Sequence, residues 1–113
     1  MLDFLGQYKG VAVKSFMTAE ACIGDMVFTK TNPDLVLMDY YLESSLVTRF
    51  HGIGAVTEIK KISPSTRIIM FTSAEHEHLM KRAKEEGASD YIIKGPEGFN
   101  TLKSVIDNSY RFA

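Results

Sequence analysis

Three polar residues that could together bind or accept an oxyanion each stand at the end of a short apolar run. Asp39 follows LVLM, Thr72 follows RIIMF, and Lys94 closes DYIIK. A carboxylate can serve as a nucleophile or as a cation ligand. A hydroxyl and an ammonium group can hold the oxygens of a phosphoryl group during its transfer. The three side chains therefore suggest an oxyanion site, provided that the fold brings them together.

Each of these residues also has an ordinary structural interpretation. An aspartate after a strand often caps a turn, Thr72 with Ser73 can cap a helix, and a lysine at a strand end is usually solvated. Taken singly, none of the three indicates chemistry. The combination favours chemistry, because Asp39, Thr72 and Lys94 place three different functional groups at the same position of three successive strands.

The apolar patterns predict an alternation of strands and helices. Strands are predicted at 11–16, 35–38, 67–71 and 90–94, and helices at 19–30, 53–62, 75–86 and 100–112. This order predicts an α/β fold, a doubly wound parallel sheet with helices on both faces and right-handed crossovers. Ligands of such sheets bind outside the carboxyl ends of the strands. The three polar residues are therefore expected to share one crevice.

The composition is that of one ordinary globular domain. The chain has 113 residues, of which 45% are hydrophobic and 24% charged, and its net charge is −1. Because there is no basic block, direct nucleic-acid binding is not expected. The single cysteine excludes an internal disulfide. The sequence contains no apolar run of membrane-spanning length and no recognisable signal peptide, so we predict a cytoplasmic protein.

Three segments resemble the receiver domain of two-component response regulators, which has a flavodoxin-like fold. These segments are NPDLVLMDYYL at 32–42, IIMFTSAE at 68–75 and EGASDYIIKG at 86–95. Together they are specific, whereas each alone is only moderately so. The resemblance runs from about Leu2 to the end of the chain and implies a signalling domain.

The resemblance implies a role for each residue at the predicted strand ends. Asp39 would accept a phosphoryl group from a histidine kinase or phosphotransfer protein, and Thr72 would bond the new phosphoryl oxygen. Lys94 would pair first with the carboxylate and then with the phosphoryl group. Tyr91 would be the aromatic switch, and the backbone carbonyl of Tyr41 would join Asp39 in binding Mg²⁺. Such a domain catalyses at most its own phosphorylation and dephosphorylation, and it signals by binding a downstream protein.

The sequence departs from the family pattern at three places. Family members begin with a central strand that ends in two adjacent acidic residues, which bind Mg²⁺. This sequence starts at MLDFLGQYKG, which resembles only the second half of the following helix. The acidic pair is absent and Asp3 does not match it, so we predict a single, N-terminally truncated receiver-like domain over 1–113 with four of the usual five strands. The stretch 43–52 is longer than the family loop, and Gly95 stands where many members have a cis proline.

Two hypotheses follow from this pattern. The first is a phosphorylated receiver with a phosphorylation-dependent surface around Thr72, Tyr91 and helix 100–112. The second is a pseudo-receiver, a binding module that cannot be phosphorylated because the acidic pair is absent, and it predicts little labelling by acetyl phosphate. An enzyme such as a phosphatase or nucleotide-binding protein is disfavoured, since no glycine-rich phosphate loop follows a strand.

The missing strand also bears on the oligomeric state. In the family's strand order, the absent strand would lie between 11–16 and 35–38 and would leave two edges unpaired. Unpaired edges are costly for buried backbone. The sheet could close by pairing these two strands directly, or a second copy could cover the edges. We predict a homodimer, because closing the sheet would force the crossover helices into new packing.

Overall fold

The computed structural model describes residues 14, 16, 18–39, 52–73 and 75–109 of the chain. Seven elements alternate along these residues, in an order that agrees with the predicted one. They are α1 (Ala19–Thr29), β1 (Leu35–Met38), α2 (Gly52–Ile62), β2 (Arg67–Thr72), α3 (Glu77–Glu86), β3 (Asp90–Ile93) and α4 (Pro96–Ser109).

The described strands form one parallel sheet in the order β1-β2-β3. Met38 lies opposite Met70, and Thr72 lies opposite Ile93. The carboxyl ends of all three strands therefore meet at one edge, as predicted. Of the predicted strand at 11–16, only Lys14 and Phe16 are described and neither lies in a strand, while its other residues fall outside the described ranges.

Helices cover both faces of this sheet, because the side chains of β2 alternate between two apolar clusters. Ile68 and Met70 join a cluster with residues of α1, α2 and α3, whereas Ile69 and Phe71 join one with residues of α4. All four side chains are at most 2% exposed. Burial of each contributes about 1.5–3 kcal/mol. The α/β architecture with helices on both faces is thus confirmed.

The connection from α1 to β1 follows from local signals in the sequence. Thr18 is the N-cap of α1, since the backbone N–H of Ala21 donates to Thr18 Oγ1 at 3.1 Å. The helix ends at Thr29, and its C-cap Lys30 adopts a left-handed conformation with φ 56°. Pro33 follows three residues later, where the chain turns toward the sheet.

Buried hydroxyls fix β1 against β2 at the amino edge, opposite the predicted site. Thr66 Oγ1 donates to the carbonyl of Pro33 at 2.7 Å. Since a hydroxyl carries one proton, Ser63 Oγ must donate in its 2.6 Å contact with Thr66 Oγ1. Both side chains are at most 1% exposed. These bonds lock the start of both strands and hence their register.

The start of the last helix differs from the sequence prediction. We expected a helix over 100–112, but α4 begins at Pro96. Proline suits the first position of a helix because its missing N–H has no partner there. The backbone N–H of Phe99 then donates to the carbonyl of Gly95 at 3.0 Å. No cis peptide bond occurs in the described ranges.

Among the described helices, none is both long and apolar enough to cross a lipid bilayer.

Candidate oxyanion site at the carboxyl edge of the sheet

Asp39 is the carboxylate of the site and comes directly after β1. The strand ends with Met38, which is 6% exposed, whereas the Asp39 side chain is 28% exposed. The aspartate therefore lies where the apolar strand leaves the core and its carboxylate reaches solvent. A reactant in solution has access to this group.

Thr72 supplies a hydroxyl to one oxygen of this carboxylate. It is the last residue of β2, which extends one residue beyond the predicted strand, and its side chain is fully buried. Thr72 Oγ1 donates to Asp39 Oδ1 at 2.5 Å. Hydrogen bonds from a hydroxyl to an ionised carboxylate are short and strong. The bond fixes the orientation of the carboxylate.

Lys94 supplies an ammonium group to the other oxygen. It follows β3 directly, and its Nζ lies 2.7 Å from Asp39 Oδ2. The lysine side chain is 44% exposed, so water screens this ion pair, which matters more for orientation than for stability. The three residues predicted at the strand ends are thus brought together, although their roles in phosphotransfer stay predictions.

A backbone contact that the sequence did not reveal links the two donors. The N–H of Lys94 donates to the carbonyl of Thr72 at 2.9 Å. This bond follows the last registered pair of β2 and β3, Thr72 with Ile93. The residues that hold the two oxygens of Asp39 are therefore joined directly through their main chains. Only the pairing register could have predicted this contact.

The arrangement suits nucleophilic attack by the carboxylate. Each oxygen of Asp39 has its own donor, and the two donors stand at the carboxyl ends of two different strands, β2 and β3. When an electrophile becomes bonded to the carboxylate, a hydroxyl and an ammonium group in these positions can donate hydrogen bonds to its oxygens. The site is thus able to hold a carboxylate still and to hold the anionic oxygens of a group transferred to it.

The structure describes one of the two remaining predicted site residues. Tyr91 belongs to β3, pairs with Met70 across the sheet and is 8% exposed within the cluster under α1, α2 and α3. Its predicted role as a switch stays a prediction. Tyr41, predicted to offer a backbone carbonyl to Mg²⁺, lies outside the described residues.

The described side chains alone do not make a magnesium site. Mg²⁺ prefers about six oxygen ligands in octahedral geometry. Within the described ranges, no three acidic, histidine or cysteine side chains cluster in a way that could hold a metal ion. Asp39 is the carboxylate at this edge, and its two oxygens accept from Thr72 and Lys94.

Comparisons with known proteins agree with the geometry. Residues 1–107 match the family model described as the response regulator receiver domain. The chemotaxis protein CheY of Halobacterium salinarum is 38% identical over 81 residues, which is 72% of this chain and 63% of that protein. The response regulator protein VraR of Staphylococcus epidermidis is 33% identical over 81 residues, or 69% of this chain. Those residues are 36% of VraR, so the match spans about a third of that relative.

The fold has close counterparts among solved structures. The receiver domain of NtrX from Brucella abortus superposes with a TM-score of 0.76 at 24% identity, covering 94% of this chain and 82% of that one. At this identity the likeness concerns the fold alone. It supports the flavodoxin-like arrangement that the resemblance to receiver domains implies.

Proposed function

The chain belongs to the response regulator receiver domain family, and from this premise we propose that Asp39 accepts a phosphoryl group from a histidine kinase or phosphotransfer protein. The observation that carries the proposal is the separate donor on each oxygen of Asp39, Thr72 at 2.5 Å and Lys94 at 2.7 Å. This geometry fits a carboxylate that is held for attack and whose product is then held by the same two groups.

The proposed transfer balances as a simple displacement at phosphorus. A carboxylate oxygen of Asp39 forms a bond to phosphorus while the phosphorus–nitrogen bond of the donor's phosphohistidine breaks. The electron pair of that bond stays on the imidazole nitrogen, which takes a proton from solvent. The product is an acyl phosphate, whose anionic oxygens the Thr72 hydroxyl and the Lys94 ammonium stabilise.

The proposed consequence is a change in a partner-binding surface around Thr72, Tyr91 and α4. Thr72 is buried at the end of β2, and Tyr91 is buried in the neighbouring strand. When the hydroxyl of Thr72 moves to bond a phosphoryl oxygen, the packing of the side chains beside it must change, because protein interiors are densely packed. Tyr91 is proposed to respond and to pass this change to a downstream protein in the cytoplasm.

The acceptor assignment is tested with small phosphoryl donors. The folded chain is incubated with acetyl phosphate or phosphoramidate and Mg²⁺, and the mass gain of one phosphoryl group is followed by intact mass spectrometry. We expect a label that hydroxylamine removes and that Asp39→Asn abolishes. Asp107→Asn is the matched control, since Asp107 also pairs with a lysine, Lys103 at 2.9 Å on α4, and it should leave labelling unchanged.

Two outcomes would contradict the proposal. Label that survives in Asp39→Asn would refute the acceptor assignment. A folded chain that takes no label from either donor would instead support the second hypothesis, a binding module that is not phosphorylated.

A further inference from the structure

We propose that Gly98 is a positioning residue for Lys94, because it allows the first turn of α4 to pack directly on the end of β3. The effect of this packing on phosphotransfer rests on the proposed function above, whereas its effect on the Lys94–Asp39 contact does not.

The close approach at Gly98 carries the inference. A Cβ atom built on Gly98 would clash with the carbonyl oxygen of Ile93, and it would lie 3.0 Å from the carbonyl carbon of that residue and 3.4 Å from Cε1 of Phe71. The main obstacle is backbone and not a flexible side chain, so any side chain at 98 must push α4 away from β3. Ile93 is the residue immediately before Lys94.

Other contacts join the same helical turn to the strand ends. The N–H of Phe99 donates to the carbonyl of Gly95 at 3.0 Å. The ring of Phe99 meets that of Phe71 edge-on, with centroids 5.1 Å apart. Gly95 itself has φ 145°, a conformation that favours glycine. The chain on the C-terminal side of Lys94 is therefore fixed by a tight turn and by the packing of α4.

The position of the lysine side chain follows from these constraints. On one side, the N–H of Lys94 is bonded to Thr72, and on the other side the turn leads straight into α4. Its Nζ reaches Asp39 Oδ2 at 2.7 Å. A displacement of α4 at Gly98 would move the carbonyl of Ile93 and with it the start of the lysine side chain. Misplacing a catalytic group by about 1 Å can slow a reaction by about 100-fold.

The test compares Gly98→Ala with Gly24→Ala. Gly24 also lies in a helix, but a Cβ atom there would meet nothing within 4 Å. The first readout is the ammonium resonance of Lys94 in heteronuclear NMR. When the contact to Asp39 is lost, faster proton exchange with water should broaden this resonance. The ammonium resonance of Lys60, which donates to the carbonyl of Thr66 at 2.7 Å, is the internal reference for an intact fold.

We expect Gly98→Ala to lose the Lys94 resonance while keeping that of Lys60, and Gly24→Ala to keep both. The initial rate of labelling by phosphoramidate should fall roughly 10- to 100-fold in Gly98→Ala only. A Lys94 resonance that persists unchanged in Gly98→Ala would overturn the inference. If the wild type takes no label, the proposed function fails, yet the resonances still decide the positioning role.

A second variant keeps the inference testable if Gly98→Ala does not fold. Phe99→Leu removes the ring contact between α4 and Phe71 of β2 and so weakens the same packing of α4. Because Phe99 is 39% exposed, the core should tolerate this change. We expect partial broadening of the Lys94 resonance and an unchanged Lys60 resonance. An unchanged Lys94 resonance in this variant would count against the role of the α4 contact.

Discussion

Thr72 is fully buried, yet its hydroxyl serves a carboxylate that reaches the surface. Thr72 can be buried and still reach Asp39 because it is the last residue of β2. The strand carries the side chain inside the densely packed core, and the end of the strand directs it toward Asp39. The hydroxyl therefore belongs to the core and to the site together, so its replacement should affect stability as well as chemistry.

Replacing Thr72 by valine keeps the shape and removes the hydroxyl. We expect the free energy of unfolding to fall by about 1.5–3 kcal/mol, the range for a hydrogen bond to a charged group. Urea denaturation measures this change. Thr72→Ser, which keeps the donor, should restore most of the labelling rate in the phosphoryl-donor assay. Equal labelling by the valine and serine variants would show that the hydroxyl does not hold the transferred group.

Cys22 provides a pH-dependent prediction at the same scale. Burial raises the pKa of the Cys22 thiol, and the nearby Asp25 carboxylate adds to this rise. Because thiolate is the reactive form, iodoacetamide should modify the folded chain more slowly than the urea-unfolded chain at pH 8. The folded state also holds the thiol proton more tightly, so the free energy of unfolding should fall as the pH rises from the ordinary thiol pKa to the raised pKa of the folded chain.

The control for Cys22 is Cys22→Ser, which should remove both the adduct and this part of the pH dependence. Equal reaction rates of the folded and unfolded chains would contradict the assigned burial.

At the scale of elements, the amino edge of the sheet is held by hydroxyls that are as buried as the core. We expect Thr66→Val to lower the free energy of unfolding by about 1–3 kcal/mol, because the carbonyl of Pro33 loses its donor and Ser63 loses its acceptor. The matched control is Thr101→Val, since the Thr101 hydroxyl donates to a helical carbonyl at the exposed surface. That change should stay within about 0.5 kcal/mol, and equal losses in both variants would contradict the argument.

The helices and strands could be predicted from the sequence where one pattern, such as a short apolar run, was clear. The apolar runs of β1, β2 and β3 can only be buried strands in an alternating pattern, and the parallel arrangement then brings Asp39, Thr72 and Lys94 to one edge. The start of α4 was not predictable, because proline and glycine in PEG look like a turn by propensity alone. There, close packing against the carbonyl of Ile93 outweighs the poor helix propensity of Gly98.

The details of the site were also beyond the sequence. The residue types give a carboxylate, a hydroxyl and an ammonium group, but not which oxygen each donor meets. That assignment depends on the register of β2 with β3 and on the turn at Gly95, which no residue pattern specifies.

At the scale of the whole molecule, the outer edge of β1 determines the remaining prediction. β1 pairs with β2 along one edge, and within the described ranges no strand pairs with the other. Its first three residues, Leu35, Val36 and Leu37, are only partly buried. A strand edge without a pairing strand favours association. The partner for this edge of β1 must therefore be other residues of this chain or a second copy of it.

The homodimer stays a prediction that sedimentation velocity can decide. We expect a dimer at micromolar concentration that dissociates on dilution. A monodisperse, cooperatively folding wild-type monomer at all concentrations would reject the dimer.

The bond from the N–H of Lys94 to the carbonyl of Thr72 is made entirely of main-chain atoms. Point substitutions at either position therefore leave it in place, with proline at 94 as the exception because proline has no N–H. Mutation and selection can replace either side chain, but the main-chain bond still couples the motions of residues 72 and 94. A semisynthetic chain with an ester in place of the amide at Lys94 would delete this one bond while preserving every side chain.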